Sequence, residues 1–273
     1  MIHFQGENEI VRLRQIADKL AADISRFQNV TGVIFMGGLA RGFMDKYSDI
    51  DIIALLDKEN SFVRKQVKQA SSEEQKNAAV DIDVEVHTLA AYTKKKWNEI
   101  DRWSFSKANV VFDPNGTVRR LLDEKLCISS ELWIKRIAVC SEYLKWYCCP
   151  AIESAKSMAE AWIDRGDLSS AHYCLSYSLD TMLRLIFALN NEFVPPAKWK
   201  LFYSYSLQWL PTNYEKLLKE AMTIRAFSED DCRRRISALK KLWSSILPEI
   251  EEKTGLNLEK LSKHYVEKVL RQS

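Results

Sequence analysis

The 273-residue chain has little net charge, +3 from 40 basic and 37 acidic residues, and so lacks the basic footprint of a protein that wraps a nucleic-acid duplex. No apolar run approaches the roughly 20 residues needed to span a bilayer, which predicts a soluble protein. The first residues, Met1-Ile2-His3-Phe4-Gln5-Gly6-Glu7, have no basic segment followed by an apolar stretch and do not read as a signal peptide. Six cysteines (Cys127, Cys140, Cys148, Cys149, Cys174, Cys232) show no C-x-x-C spacing and no framework of a small secreted chain. They read as reduced, mostly buried thiols of a cytoplasmic protein. Among the histidines, His3, His172 and His264 have no metal-ligand spacing, which speaks against zinc, and His87 reads as a hydrogen-bonded structural residue. There is no internal repeat and no low-complexity tract.

What is present is ample apolar content, 47%, over a length that allows two modest domains. Ile10, Leu13, Ile16, Leu20 and Ile24 recur at helical spacing between Glu7 and Phe27. Strands are predicted at about 31–36, 50–56 and 80–87, and a short last one at 108–112. Between the second and third, the polar stretch Ser61 to Asn77 reads as a solvated helix or a mobile excursion. Thr88 caps a predicted helix from Leu89 to about Trp103, and Val118 to Leu126 is amphipathic. Beyond Ser129 the pattern is helical to the end. One helix is interrupted near Pro150, and the next runs from Ala151 to Ile163. A third is capped by Asp167 and reaches Ala188, a fourth runs from Pro195-Pro196 to Trp209, and others follow from Asp230 and Leu256. Arg184 interrupts an apolar run and has Asp180 as its i,i+4 partner. The aromatics Trp133, Trp146, Tyr147, Trp162, Tyr173 and Tyr177 read mainly as core, with some available to line a pocket.

The most informative stretch is residues 32–53, where the apolar run Val33 to Met36 breaks at Gly37-Gly38. It then crosses a short segment ending in Lys46-Tyr47-Ser48 and re-enters an apolar run carrying Asp49 and Asp51. Alternation along an extended strand places Asp49 and Asp51 on one face. Two carboxylates so placed repel unless a cation lies between them, and hard oxygen ligands suit Mg²⁺. The glycines let backbone N–H groups approach an anion closely. A buried acid in the otherwise apolar run Ile50 to Leu56 is costly unless paired or metal-bound, so Asp51 needs a reason to be there. Downstream, Val80-Asp81-Ile82-Asp83-Val84-Glu85-Val86-His87 alternates strictly, with its acids on one face. Such a face either completes a carboxylate site or discourages edge pairing.

The order strand, Gly-Gly, short helix and Asp-x-Asp resembles the nucleotidyltransferase fold of the DNA polymerase β superfamily. Within that superfamily it is similar to the small-molecule adenylyltransferases that modify aminoglycoside or lincosamide antibiotics. The resemblance implies an α+β fold, with a nucleotidyltransferase domain over residues 1–120, a mixed sheet flanked by helices. An all-α helical bundle over 121–273, with the chain changing domain at about 115–128, would bind the acceptor. It implies Mg-dependent transfer of a nucleoside monophosphate, AMP from ATP or another NTP, to a hydroxyl of a small molecule with release of pyrophosphate. Two Mg²⁺ ions are then expected on Asp49, Asp51 and Glu85. Glu85 in Val84-Glu85-Val86 is the expected base, with Asp83 as runner-up. Gly37, Gly38, Arg41 and Ser48 are the expected phosphate cradle, Arg41 being equally compatible with a solvent-exposed place. The segment Asn190 to Trp199 looks like the Pro-x-x-Lys-Trp segment of the helical domains of some such transferases. It nominates Lys198 for a β- or γ-phosphate, or else a solvated lysine at a helix start. The family usually has Gly-Ser where this chain has Gly37-Gly38. That departure keeps open a non-catalytic nucleotide-binding or antitoxin-like interaction module, and a protein hydroxyl is a third acceptor class.

Overall fold

The computed structural model describes residues 6–152 and 154–265. His3, with the rest of the first five residues, lies outside them. The chain divides into two compact units, with the boundary between Cys127 and Ile128.

In the first unit, α1 (Ile10–Ser25) leads into β1 (Val30–Phe35), the short α2 (Gly37–Arg41) and β2 (Ile50–Leu56). The connection α3 (Ser61–Ala78) then delivers β3 (Ile82–Thr88). The unit closes with α4 (Leu89–Lys94), α5 (Glu99–Ser106), β4 (Asn109–Phe112) and α6 (Thr117–Leu126). The four strands form one mixed sheet in the order β3-β2-β1-β4. β1 is antiparallel to β2 and β4, while β2 and β3 are parallel, as their helical crossover requires.

Both faces of the sheet centre are covered, which explains why β2 is nearly continuously apolar. Ile50, Ile52, Ala54 and Leu56 pack with Leu13, Leu20 and Ile24 of α1 and with Val63 and Val67 of α3. On the opposite face, Ile34, Ile53 and Leu55 pack with Tyr92, Trp97, Phe105 and Leu121. Asp51 shares the parity of Ile53 and Leu55, so it lies on this second face. There Asp51 is half-buried, and Asp83 and Glu85 on edge strand β3 are exposed.

The polar stretch after β2 is a full helix, α3, capped by Asn60, whose side chain accepts from the backbone N–H of Phe62 and Val63. The helix predicted from Leu89 to Trp103 is instead two helices. Lys95 is extended, and Asn98 begins α5 with a capping box closed by Asp101.

The second unit contains α7 (Ser130–Tyr147), α8 (Met158–Asp164), α9 (Leu168–Leu189), α10 (Ala197–Ser204), α11 (Tyr214–Met222), α12 (Glu229–Thr254) and α13 (Leu258–Tyr265). The helix expected from Ala151 begins only at Met158, where Ser157 and Glu160 form a capping box. The helix expected to reach Trp209 stops at Ser204. The Asn190 amide accepts from the Trp209 backbone N–H at 2.8 Å and donates to its carbonyl at 3.0 Å, holding that segment out of the helix. Helix α11 has no counterpart among the sequence expectations. Its start is set by Asn213 in a left-handed conformation, φ 59°.

Several aromatics read as core are not. Trp146 and Tyr173 are 64% and 76% exposed, and Tyr177 is also exposed. Of the cysteines, Cys148, Cys149, Cys174 and Cys232 are buried, and all six are free. No helix of the described residues is long and apolar enough to cross a membrane.

Candidate active site

The site is assembled where β1 ends and β2 begins. Gly37 follows β1 with φ +53°, a left-handed conformation that favours glycine. A Cβ there would lie 1.8 Å from Asp51 Oδ2 and 2.9 Å from its Cγ, so the absence of a side chain makes room for the carboxylate. The turn is fastened to β2 by the Met36 N–H, which donates to the Asp51 carbonyl at 3.0 Å. Glycine 37 thus serves the acid as well as the turn.

Gly38 is packed for a different reason. A Cβ on it would meet Met44 Cγ at 2.7 Å and the Phe43 carbonyl oxygen at 2.8 Å. The loop after α2 occupies the space that a side chain at position 38 needs. Arg14 of α1 braces the same helix, donating to the Leu39 carbonyl at 2.9 Å while lying over the Phe35 ring. Nothing in the local sequence pointed to Arg14.

The parallel register of β2 and β3 decides which acids are neighbours. Asp51 stands opposite Asp83, and Glu85 stands opposite Ile53, one pleat further along. Glu85 accepts a hydrogen bond from His87 at 2.9 Å, and the His87 ring meets Tyr92 edge-on. Burial, with the Glu85 and Asp101 charges, pushes the Tyr92 phenol up to about 12, so it stays protonated beside the site. Asp81 lies just before the strand, its carbonyl accepting from the Ile50 N–H at 2.9 Å.

Asp49 precedes β2 and is exposed. It lines a cavity of about 730 Å³ together with Arg12, Asp45, Tyr47, Lys76 and Asp81. Ser48 also lines it, but its hydroxyl is used locally, accepting from the Asp45 N–H at 3.0 Å and donating to the Asp45 carboxylate at 3.1 Å. Arg41 lies over the buried Trp103 ring, 5.7 Å from its centroid. Lys198 is exposed on α10 of the helical unit, and its neighbour Lys200 is the buried lysine of that segment.

Among the described residues no group of three or more His, Cys, Asp or Glu side chains lies close enough together to hold a metal ion by itself. The donor set nevertheless fits Mg²⁺. That ion takes one or two carboxylates and completes its shell from water and substrate phosphates, and Asp51 and Asp83 are hard oxygen donors aligned on adjacent strands. An Asp-x-Asp entering one strand, an acid in register on the next, and a glycine turn pressed against the first describe a known arrangement. Residues 14–110 match the family model of the nucleotidyltransferase domain.

The N-terminal unit therefore carries a nucleotidyltransferase domain, and the match covers about a third of the chain. Solved structures to which the chain is similar include a nucleotidyltransferase-like protein from Exiguobacterium sibiricum. It is 10% identical over 88% of this chain and 78% of its own, with a TM-score of 0.42. A toxin-antitoxin complex with AMP-PNP includes a chain that is 14% identical, over 48% of this chain and 97% of that one, TM-score 0.32. A tri-AMPylated Shewanella oneidensis HEPN toxin in complex with its MNT antitoxin is similar over 50% of this chain and 98% of the other, at 13% identity and TM-score 0.30. No curated protein matches the sequence.

Proposed function

We propose that the chain is a Mg²⁺-dependent nucleotidyltransferase that moves a nucleoside monophosphate, AMP from ATP, to a hydroxyl of a small molecule and releases pyrophosphate. The observation that carries this reading is the in-register pair Asp51–Asp83 beside Gly37, whose missing side chain admits the Asp51 carboxylate. Asp51 and Asp83 would hold an ion, with Asp49, which lines a cavity that neither of them lines, proposed as a further ligand only from its Asp-x-Asp spacing; the metal when bound offsets the negative charge crowded around the α-phosphate. The Gly37-Gly38 turn would offer the phosphates the first backbone N–H groups of α2, which have no intrahelical acceptors. Glu85, exposed on the same face and oriented by His87, would take the proton of the acceptor hydroxyl. Asp83, directly opposite Asp51 in the register, is proposed for the metal-holding place for which the family resemblance nominated Glu85.

Arg41, braced over Trp103, is a proposed cationic partner of the triphosphate. Gly38 does not argue for a non-catalytic module, since packing against Phe43 and Met44 accounts for its missing side chain. ATP supply and six free thiols favour the cytoplasm as the place of work. An aminoglycoside- or lincosamide-type acceptor belongs to this proposal only as a family analogy. The test is calorimetric titration with ATP and Mg²⁺ together with pyrophosphate release over an acceptor panel, for the natural chain and for Asp51→Asn, Asp83→Asn and Glu85→Gln. Loss of release in Asp51→Asn and Asp83→Asn with the fold intact supports the assignment. Full activity in either variant rejects it.

A further inference from the structure

The helical unit carries a second cluster of chemistry-bearing side chains, on the paired helices α7 and α9. The rings of Tyr143, Tyr147 and Tyr177 form one group, with centroids 4.9 Å apart for Tyr147–Tyr177, 5.9 Å for Tyr143–Tyr177 and 6.3 Å for Tyr143–Tyr147. Tyr143 and Tyr177 are 46% and 38% exposed, so apolar ring surface is left open to solvent rather than closed into the core. At helical spacing along the same face of α9 stand Asp180 and Arg184.

The charges around Asp180 are unequal. Its carboxylate accepts from Arg184 Nε at 2.7 Å and also from Lys200, whose side chain is only 7% exposed. Two cations on one carboxylate leave a net charge of +1. Arg184 is the accessible member, with its side chain 52% exposed, and its bond to Asp180 is made through Nε rather than the terminal Nη groups. An open guanidinium fork matches the two oxygens of a carboxylate or phosphate. Open phenol rings match the face of another ring.

We propose that this cluster binds a small ring-bearing compound that carries an oxyanion, the ring against Tyr143 and Tyr177 and the oxyanion on Arg184. The +1 charge selects against a polycationic aminosugar.

The test uses the full chain without ATP or Mg²⁺ and follows phenyl phosphate binding by saturation-transfer NMR, with phenyl glucoside and a polycationic aminosugar as comparison probes. Phenyl phosphate is expected to bind saturably and more tightly than either comparison probe. Arg184→Gln should weaken phenyl phosphate roughly ten-fold or more and leave phenyl glucoside unchanged, while Tyr177→Ala should weaken both. Thermal unfolding of each variant, with Arg184→Lys as a second charge-keeping variant, separates lost binding from lost fold. Asp51→Asn should keep phenyl phosphate binding, so failure of the transferase reading and failure of this one are distinguishable. No saturable binding of phenyl phosphate, equal affinity in Arg184→Gln, or tighter binding of the aminosugar overturns the proposal.

Discussion

Replacing Gly37 by alanine isolates the contact on which the site is built. Two costs follow from the geometry. A Cβ at φ +53° carries a left-handed penalty of about 1–2 kcal/mol. In addition, a Cβ 1.8 Å from Asp51 Oδ2 is roughly 1.5 Å short of ordinary contact, so the carboxylate must move by about that distance. A displacement of about 1 Å at a reacting centre costs on the order of 100-fold in rate. Gly42 supplies the control, since it has φ +83° and nothing within 4 Å of an added Cβ. Gly42→Ala should therefore lose about 1 kcal/mol of stability, a few degrees in Tm, while keeping nucleotidyl transfer. Gly37→Ala should lose at least as much stability, and transfer should fall roughly 100-fold or more. Chemical denaturation and pyrophosphate release on the two purified variants make the comparison. Gly37→Ala retaining activity within about two-fold of Gly42→Ala would refute the claim that the glycine makes room for Asp51.

Gly38→Ser, which restores the residue common in the resembled family, should destabilise the first unit by about 1–3 kcal/mol and raise no activity, because its Cβ meets Phe43 O and Met44; a gain in activity contradicts this. In the helical unit, Asp180→Asn leaves buried Lys200 without its carboxylate and should cost about 3 kcal/mol. Lys200→Met, after which half-exposed Asp180 keeps Arg184, should cost less than that; urea unfolding that finds the reverse order is inconsistent with the burial pattern. His172 is held below its ordinary value of 6.5 by burial and by the neighbouring Arg235 guanidinium, whose Nη1 donates to its Nδ1 at 2.7 Å. A depressed folded value means that its contribution is fully present above about pH 6.5 and is lost as pH falls toward and through the lower folded value. Stability should therefore decline below pH 6.5 in the natural chain and less so in His172→Gln, a difference that pH-dependent denaturation curves will show or exclude.

Much of the first unit was legible because its signals are local. β2 shows as an apolar run bounded by charged residues, β3 as strict alternation, and the Gly-Gly turn as a break between strands. The register was not legible, and the register is what sets Asp83 rather than Glu85 opposite Asp51. Pairing between strands separated by an 18-residue helix depends on how α3 packs, which no short motif encodes. The exposed position of Tyr177 was hidden for a similar reason. Helical spacing identifies which residues share a face but not whether a neighbour covers it. Asp180–Arg184 was readable as an i,i+4 pair and is present, whereas Lys200, its second partner, comes from another helix. The break before Asn98 turned on one side chain serving as a cap where the apolar pattern continued unbroken.

Pyrophosphate release from ATP across a panel of hydroxyl acceptors tests most directly whether Asp51 and Asp83 together support metal-dependent nucleotidyl transfer. Release should require Mg²⁺, be present in the natural chain and be lost in both Asp51→Asn and Asp83→Asn variants that still unfold cooperatively. Tight Mg²⁺–ATP binding without release on any acceptor, or release undiminished in either variant, contradicts that role.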